Sequence, residues 1–364
     1  MQLRKSIEEA TFWLTNSLLQ SSSHNHDEKG NGRAATTTDG LRADFSSTRF
    51  NHWQPKIDRA HYLLYRTNAA CCQWSTYFED GDRLRRSLLH HVSPTTSGEV
   101  ARMLHPFDAL KFPCTSLELE SDIARSYASR ALESVGVVEV EISSSKPNKV
   151  LPQRVVTANR QDPQQLQQKI RIGYISPDST LRNPLAFLMQ HVFRHHDKSQ
   201  FVTNIYSVSS SKTDDGPEVQ AIRKSSDQFT YLSPSSMSPM EMYQRMMQDE
   251  LDILVDLCGY AGTSVVSEIM ASRCHLRQNQ GNDIVKQRFP THVNYMGFPG
   301  SVGSTRVWDY SVFDKIVVPP EEKYGIRNHC PEALVYMPHC YFVNSHRTVM
   351  GGSGGGIMVA NEEE

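Results

Sequence analysis

The chain predicts an α/β fold, a parallel sheet flanked by helices and preceded by a mostly helical segment. Three observations carry that reading. Lys169–Ser176 reads KIRIGYIS, a basic start followed by an apolar, β-branched run, and the PDSTLRNPLAFLMQ that follows it has helical character. From there to the C-terminal region, short runs rich in Val, Ile, Tyr and Leu alternate with helix-like stretches, the pattern of parallel strands joined by right-handed crossovers. Asn294–Tyr310, NYMGFPGSVGSTRVWDY, then sets three glycines directly after a strand-like run, as a loop facing a ligand crevice requires.

The elements follow in order. Met1–Gln20 carries Leu3, Ile7, Ala10, Leu14 and Leu18 at helical spacing and reads as an amphipathic helix. Ser21–Thr48 is polar with almost no apolar periodicity, so burial cannot offset the entropy of ordering it, and it is expected to be a disordered insertion. Residues 49–142 form the helical segment, mostly helical over His52–Val137 and broken at Pro94, Pro106 and Pro113. Residues 143–168 read as a surface linker, within which Val150–Val156 fits a short strand.

Residues 169–346 are the α/β lobe. Strands are predicted at Ile170–Ile175, Phe201–Val208, Ile253–Leu257, His292–Met296 and Lys315–Val318, with helices at Pro184–Arg194, Pro217–Ser225, Pro239–Gln248 and Ser264–Ala271. The polar run His275–Arg288 reads as an insertion, and 347–364, glycine-rich and then acidic, as a flexible tail. Its GGSGGG has no following Lys-Ser/Thr pair and is no phosphate loop.

Composition narrows the function classes. With 364 residues the prior is two or more domains, and a formal net charge of -2 gives no electrostatic reason to expect nucleic acid or an anionic membrane as partner. No segment has the apolar length of a bilayer span, and Arg4, Lys5, Glu8 and Glu9 interrupt the first residues where a signal peptide needs an apolar run. Seven cysteines without framework spacing, among them Cys71, Cys72 and Cys258, read as reduced intracellular thiols. No internal repeat of about 34 residues is present.

The residues that bear chemistry cluster at predicted strand ends. The loop Gly297–Ser304, GFPGSVGS, allows close backbone approach and presents N–H groups to an anion or a sugar hydroxyl, although such a loop read alone is more often a tight turn. Asp178 follows the first predicted strand, and Asp256, Tyr260 and Thr263 close and follow the third. Each aspartate also suits a helix cap. His191 and His195 have a zinc-compatible spacing but no accompanying Glu or Cys pattern, so no metal site is expected there. Cys258 reads as a packed thiol, and His339 as a structural histidine.

These segments resemble one family, the protein O-linked N-acetylglucosamine (O-GlcNAc) transferases and their SPINDLY-like relatives. The resemblance lies in Ile170–Asp178 against a strand of the type RVGYVSSDF, in Tyr295–Gly303 against a loop of the type LGYPGTSG, in Trp308–Tyr310, and in EALVYMPHCYFVNSH, Glu332–His346. Ala69–Val92, Leu104–Leu110 and Ser121–Ala131 resemble the helices ahead of the family's catalytic core. It covers roughly residues 60 to 346.

The resemblance implies the first Rossmann-like lobe of a GT-B glycosyltransferase. The activity implied is transfer of N-acetylglucosamine from a uridine diphosphate donor to Ser or Thr of intracellular proteins in the cytoplasm or nucleus, with no further cofactor. Gly297, Phe298, Pro299, Gly300, Ser301, Gly303, Tyr260 and Thr263 are then the donor- and acceptor-binding candidates. Asp178 and Asn183 are the catalytic candidates. The family's His-Pro pair is here Asn183-Pro184, and a second family histidine aligns with Met247; Asn cannot act as a general base near neutral pH. The resemblance also implies that a second nucleotide-binding lobe and a repeat array are missing from this chain. The alternatives are therefore a non-catalytic lobe that binds partners, or protein O-fucosyl transfer of the SPINDLY kind.

Overall fold

The computed structural model describes residues 62–72, 74–75, 77–91, 104–111, 116–137, 168–177, 183–209, 216–262, 265–279, 288–321 and 325–345. The expected N-terminal helix, the 21–48 insertion, nearly all of the 143–168 linker, the Val150–Val156 strand and the 347–364 tail lie outside them, as do Asp178 and Thr263. The chain divides into two compact units after Tyr127.

The first unit is helical. Helical backbone at 62–70 is followed by α1 (Tyr77–His91) and α2 (Pro106–Ala109), and α3 (Leu117–Ser134) begins in this unit. The single helical stretch expected from Ala69 to Val92 is divided by a turn at Cys71 and Cys72, where Cys72 takes a φ of 56° that a right-handed helix cannot continue through. Tyr65, Leu84, Leu104, Ala109, Leu119 and Ile123 are buried together as the core of this unit. His105 caps α2 by accepting from the Phe107 amide at 3.3 Å, with Pro106 in the first turn, where its missing N–H costs nothing.

The second unit holds seven parallel strands: β1 (Ile170–Ser176), β2 (Phe201–Val208), β3 (Gln228–Leu232), β4 (Ile253–Asp256), β5 (Thr291–Asn294), β6 (Tyr310–Phe313) and β7 (Ala333–Tyr336). Their order is β3-β2-β1-β4-β5-β6-β7. The chain winds outward from β1 to β3, then returns to the other side of β1 and winds outward again. The switch point therefore lies between β1 and β4, and ligand crevices of such sheets open there at the strand C-terminal ends.

Helices α4 (Pro184–Met189), α5 (Pro217–Ser225), α6 (Pro239–Met247) and α7 (Val266–Gln278) cover the sheet. Three of them start on proline, and α6 adds a reciprocal cap in which Ser238 and Glu241 satisfy each other's amides. On one face Ile172, Tyr174, Ile205, Val255 and Leu257 pack with Leu185, Ala186 and Met189 of α4, with Phe193, Ile222 and Met296 completing the cluster. Each such side chain fully buried contributes about 1.5–3 kcal/mol.

Three expectations need correction. The run Lys315–Val318 is a turn, and the strand precedes it as β6: the Asp314 carboxylate accepts from the amides of Ile316 (2.8 Å) and Val317 (2.9 Å), which curls the backbone and leaves Ile316 86% exposed. Helix α7 extends through Gln278, into the polar run expected to interrupt the lobe, because its buried face continues to Arg273 and Cys274. Strands β3 and β7, each five residues or shorter at an edge of the sheet, were not anticipated as strands.

Candidate functional site

Two loops meet at the C-terminal edge of the sheet, one after β4 and one after β5. Asp256 ends β4 fully buried, and one carboxylate oxygen accepts from the amides of Cys258 (2.8 Å) and Gly259 (2.9 Å). The other accepts from the Trp308 indole at 3.0 Å. This side chain therefore shapes the turn after β4 and ties it to the chain leading into β6. Above it, Tyr260 packs edge-on against Phe298 and Trp308, with ring centroids 5.2 and 5.7 Å away, and donates its hydroxyl to the Val302 carbonyl at 3.0 Å.

The backbones of the two loops touch. A Cβ at Gly297 would stand 2.4 Å from the Leu257 carbonyl and 2.8 Å from that of Cys258, so only glycine lets the loop after β5 lie this close to the turn after β4. Immediately before it, buried Met296 takes a φ of 73°, an unusual conformation for a residue with a side chain. Its Sδ accepts from the Val343 amide at 3.4 Å.

The far half of the loop is held by Glu332, the residue just before β7. Its buried carboxylate accepts from the Ser301 hydroxyl (3.0 Å) and the Val302 amide (3.0 Å), and from the Ser311 hydroxyl (3.2 Å) of β6. Burial raises its pKa, opposed by hydrogen bonds from its own backbone amide and from these donors. The same burial, reinforced by the Glu332 charge, pushes the neighbouring Cys330 thiol up to about 12. Arg327 braces the approach to β7 from its own side, donating to the carbonyls of Cys330 (3.0 Å) and Glu332 (2.8 Å).

These contacts decide which loop amides face inward. Those of Gly297, Val302 and Gly303 are donated to Tyr295 O, Glu332 and Ser301 Oγ. The amides of Gly300 and Ser301 take no acceptor among the described residues. With Pro299 exposed and Gly297, Gly300 and Ser301 half-buried, the crest of the loop is the part open to solvent, while Phe298 and Gly303 are buried beneath it.

The descending arm is fastened by Arg273 of α7. Its fully buried guanidinium forms a two-pronged pair with Asp309 (2.5 and 3.3 Å) and donates to the carbonyls of Arg306 (2.9 Å) and Val307 (3.1 Å). Asp309 also accepts from the His292 amide at 2.8 Å. His292 is fully buried and its pKa is well below the usual value, desolvation being the main cause. The Val307 carbonyl, 2.8 Å from its Nδ1, requires an Nδ1–H, so its Nε2 accepts from the Tyr243 hydroxyl at 3.0 Å. A last segment, Tyr341–Ser345, runs back along this edge: the Tyr341 carbonyl accepts from Tyr295 and the Ser345 hydroxyl donates to the Leu188 carbonyl of α4, both at 2.9 Å.

The residues singled out in the sequence are distributed as follows. Gly297, Phe298, Pro299, Gly300, Ser301, Gly303 and Tyr260 come together, with Tyr260 placed beneath the loop as its prop. Asn183 stands at the same edge after β1 as the N-cap of α4, its side-chain oxygen accepting from the Leu185 amide at 2.9 Å. Met247 ends α6, which leads to the start of β4, so it lies at the opposite edge of the sheet and cannot replace a crevice histidine. His339 is exposed in the turn after β7 and has no buried structural role. Cys258 is buried with its thiol on the Ala261 carbonyl at 3.0 Å. His191 follows the end of α4 and His195 sits in a 3-10 turn, which breaks their helical spacing, and no group of three metal-ligating side chains exists among the described residues. No helix among those residues is long and apolar enough to cross a membrane.

Sequence reasoning missed the functions of Glu332 and Arg273. The only local signals were an acidic residue abutting the apolar ALVY and a basic residue on the apolar face of a helix.

A model of glycosyl transferase family 41 matches residues 71–352. Over 285 residues the chain is 28% identical to the probable UDP-N-acetylglucosamine–peptide N-acetylglucosaminyltransferase SEC of Arabidopsis thaliana, covering 78% of this chain and 25% of that protein. Over 293 residues it is 25% identical to the UDP-N-acetylglucosamine–peptide N-acetylglucosaminyltransferase of Caenorhabditis elegans, covering 80% of this chain and 22% of that one. It thus spans a quarter or less of the length of these curated relatives. Among solved structures, a mutant O-GlcNAc transferase of Thermobaculum terrenum aligns with 78% of this chain and 45% of its own, at 19% identity and a TM-score of 0.49.

Proposed function

The chain belongs to glycosyl transferase family 41, and we propose that it forms the donor-facing lobe of a protein O-GlcNAc transferase, acting with a uridine diphosphate sugar and with Ser or Thr side chains of intracellular proteins. The observation that carries this reading is the crest of the glycine loop. Adjacent amides of Gly300 and Ser301, without acceptors among the described residues, stand at the C-terminal edge of a parallel sheet on a loop tied down on both arms. Fixed N–H donors of this kind suit a sugar or phosphate oxygen, and holding them before the substrate arrives avoids reorganisation during the reaction.

In the proposed reaction the acceptor hydroxyl oxygen bonds to the anomeric carbon while the bond from that carbon to the β-phosphate oxygen breaks. Uridine diphosphate leaves with the electron pair, and the hydroxyl proton passes to a base. Asp178, two residues beyond β1, is the ionisable candidate for that proton, and Asn183 is limited to hydrogen bonding. The reading places the protein in the cytoplasm or nucleus, in keeping with the free thiols among its described residues.

Calorimetric titration of the whole chain with UDP and with UDP-GlcNAc, followed by transfer to a Ser/Thr peptide, tests the reading. Saturable micromolar binding that Gly300→Val abolishes is the expected result. A folded chain that binds neither compound would remove the donor site, and preference for GDP-fucose would move the assignment to fucosyl transfer. The second reading, a lobe that binds without catalysing, is favoured by Asn183, whose side-chain oxygen is spent on capping α4. Donor binding without any transfer would select it.

A further inference from the structure

We propose that Glu332 is the positioning residue of the glycine loop: from the residue before β7 it grips the Ser301 hydroxyl and the Val302 amide and so fixes where the Gly300 and Ser301 amides stand. The inference rests on the reading of that loop as donor-facing. Three features of the geometry lead to it.

The first is economy of contact. Beside the help of its own backbone amide, Glu332 makes two hydrogen bonds to the loop and one to β6, so three of its donors lie on elements other than its own. A carboxylate buried only to fill a core would be a poor choice there, because burial works against its charge and an apolar residue would pack at lower cost. The second is where the grip falls. Ser301 and Val302 directly follow Gly300, the residue with least intrinsic backbone preference in the crest, so the amides just before the grip gain most from it. Ser301 relays the restraint one step further, because its Oγ also accepts from the Gly303 amide at 3.2 Å. The third is independence from the other anchors. Asp256 acts on the turn after β4 and on Trp308, and Arg273 acts on Arg306, Val307 and Asp309. Among the described side chains from outside the loop, Glu332 alone accepts from the Val302 amide, and at Ser301 it is joined only by the neighbouring Cys330 thiol.

The test uses the full chain in four forms, wild type, Glu332→Gln, Glu332→Ala and Ser301→Ala. Site-resolved amide hydrogen exchange is measured over residues 297–304 and, as an internal reference, over β1. Calorimetric titration with UDP-GlcNAc accompanies it. Loss of the anchor is expected to speed exchange of the Val302 and Gly303 amides by ~10-fold or more in Glu332→Ala and to weaken UDP-GlcNAc binding by a similar factor. The β1 amides should stay as in wild type. Glu332→Gln, which keeps a side-chain oxygen for the Val302 amide, should recover most of both, a rescue that bulk core stability alone would not produce. Ser301→Ala removes one grip while leaving the carboxylate two partners, and if Glu332→Ala does not fold it decides the matter through the Val302 amide, whose own acceptor it leaves in place.

Loop exchange unchanged in Glu332→Ala, or in Ser301→Ala where that variant decides, overturns the proposal. So does faster loop exchange with wild-type affinity for UDP-GlcNAc. A wild-type chain that binds no UDP-GlcNAc while Glu332→Ala loosens the loop sinks the donor-site reading instead, and reduces Glu332 to an anchor without a ligand to serve.

Discussion

The loops after β4 and β5 are both held by a buried carboxylate, yet the two anchors differ in reach. Asp256 bonds to amides two and three residues ahead of it, and adds a contact to Trp308, 52 residues on. Glu332 reaches back 30 and 31 residues to Val302 and Ser301. The first anchor forms with its own turn, as an aspartate at a strand end tends to do. The second exists only once β7 has paired beside β6 in the register that sets Ala333 opposite Tyr310 and Leu334 opposite Ser311. A slip of one residue would turn every β7 side chain to the other face and carry Glu332 away from the loop. The turn nearest the switch point is thus locally encoded, and the loop proposed to meet the ligand depends on the whole sheet.

Four substitutions break or sharpen that contrast. Arg273→Met should have the largest effect, because it leaves Asp309 without its buried cation and takes a donor from the carbonyls of Pro290, Arg306 and Val307; breaking a buried pair from one side costs about 3–5 kcal/mol, read from urea unfolding. An unchanged midpoint would mean that the descending arm is held by something else. Asp256→Ala strands three buried donors and is expected to cost about 3 kcal/mol or more, with a change in Trp308 emission. If the emission is unaltered, the indole contact is not the tie between the two loops.

Gly297→Ala forces a methyl group onto two carbonyls and should destabilise by about 1–3 kcal/mol, with faster amide exchange in both loops; exchange confined to one would show that they are not packed as a unit. Glu332→Gln is the mildest near neutrality, within about 1 kcal/mol of wild type, and its value lies in the pH dependence. An acid whose folded-state pKa is raised binds its proton more tightly folded than unfolded. Wild-type stability therefore falls as pH rises from the ordinary glutamate value of 4.5 through the raised folded value, and Glu332→Gln lacks that fall. Parallel stability curves for the two proteins across this window would contradict the buried, ionising Glu332.

Much of the lobe was legible beforehand. Phe201–Val208 and Pro217–Ser225 have the bounds their sequence predicts, since a β-branched run and a proline-led amphipathic helix each carry their own period. Lys315–Val318 misled because its composition is that of a strand, whereas Asp314 supplies two side-chain hydrogen bonds that a strand would not use. In the site, the glycines, Tyr260 and Asp256 stood out through residue type and position after strands. Glu332 and Arg273 did not, because nothing in their neighbourhoods names the distant segments they bind.

Sequence by itself therefore determined the alternation of strands and helices, the family likeness and the place of the glycine loop, all of which are written in local spacing and motif. Tertiary structure alone decided which of that loop's amides turn inward and which stay at its crest. At Val302 that choice is made by Glu332, from the residue before β7, and a hydrogen bond across such a separation exists only after the chain has closed around it.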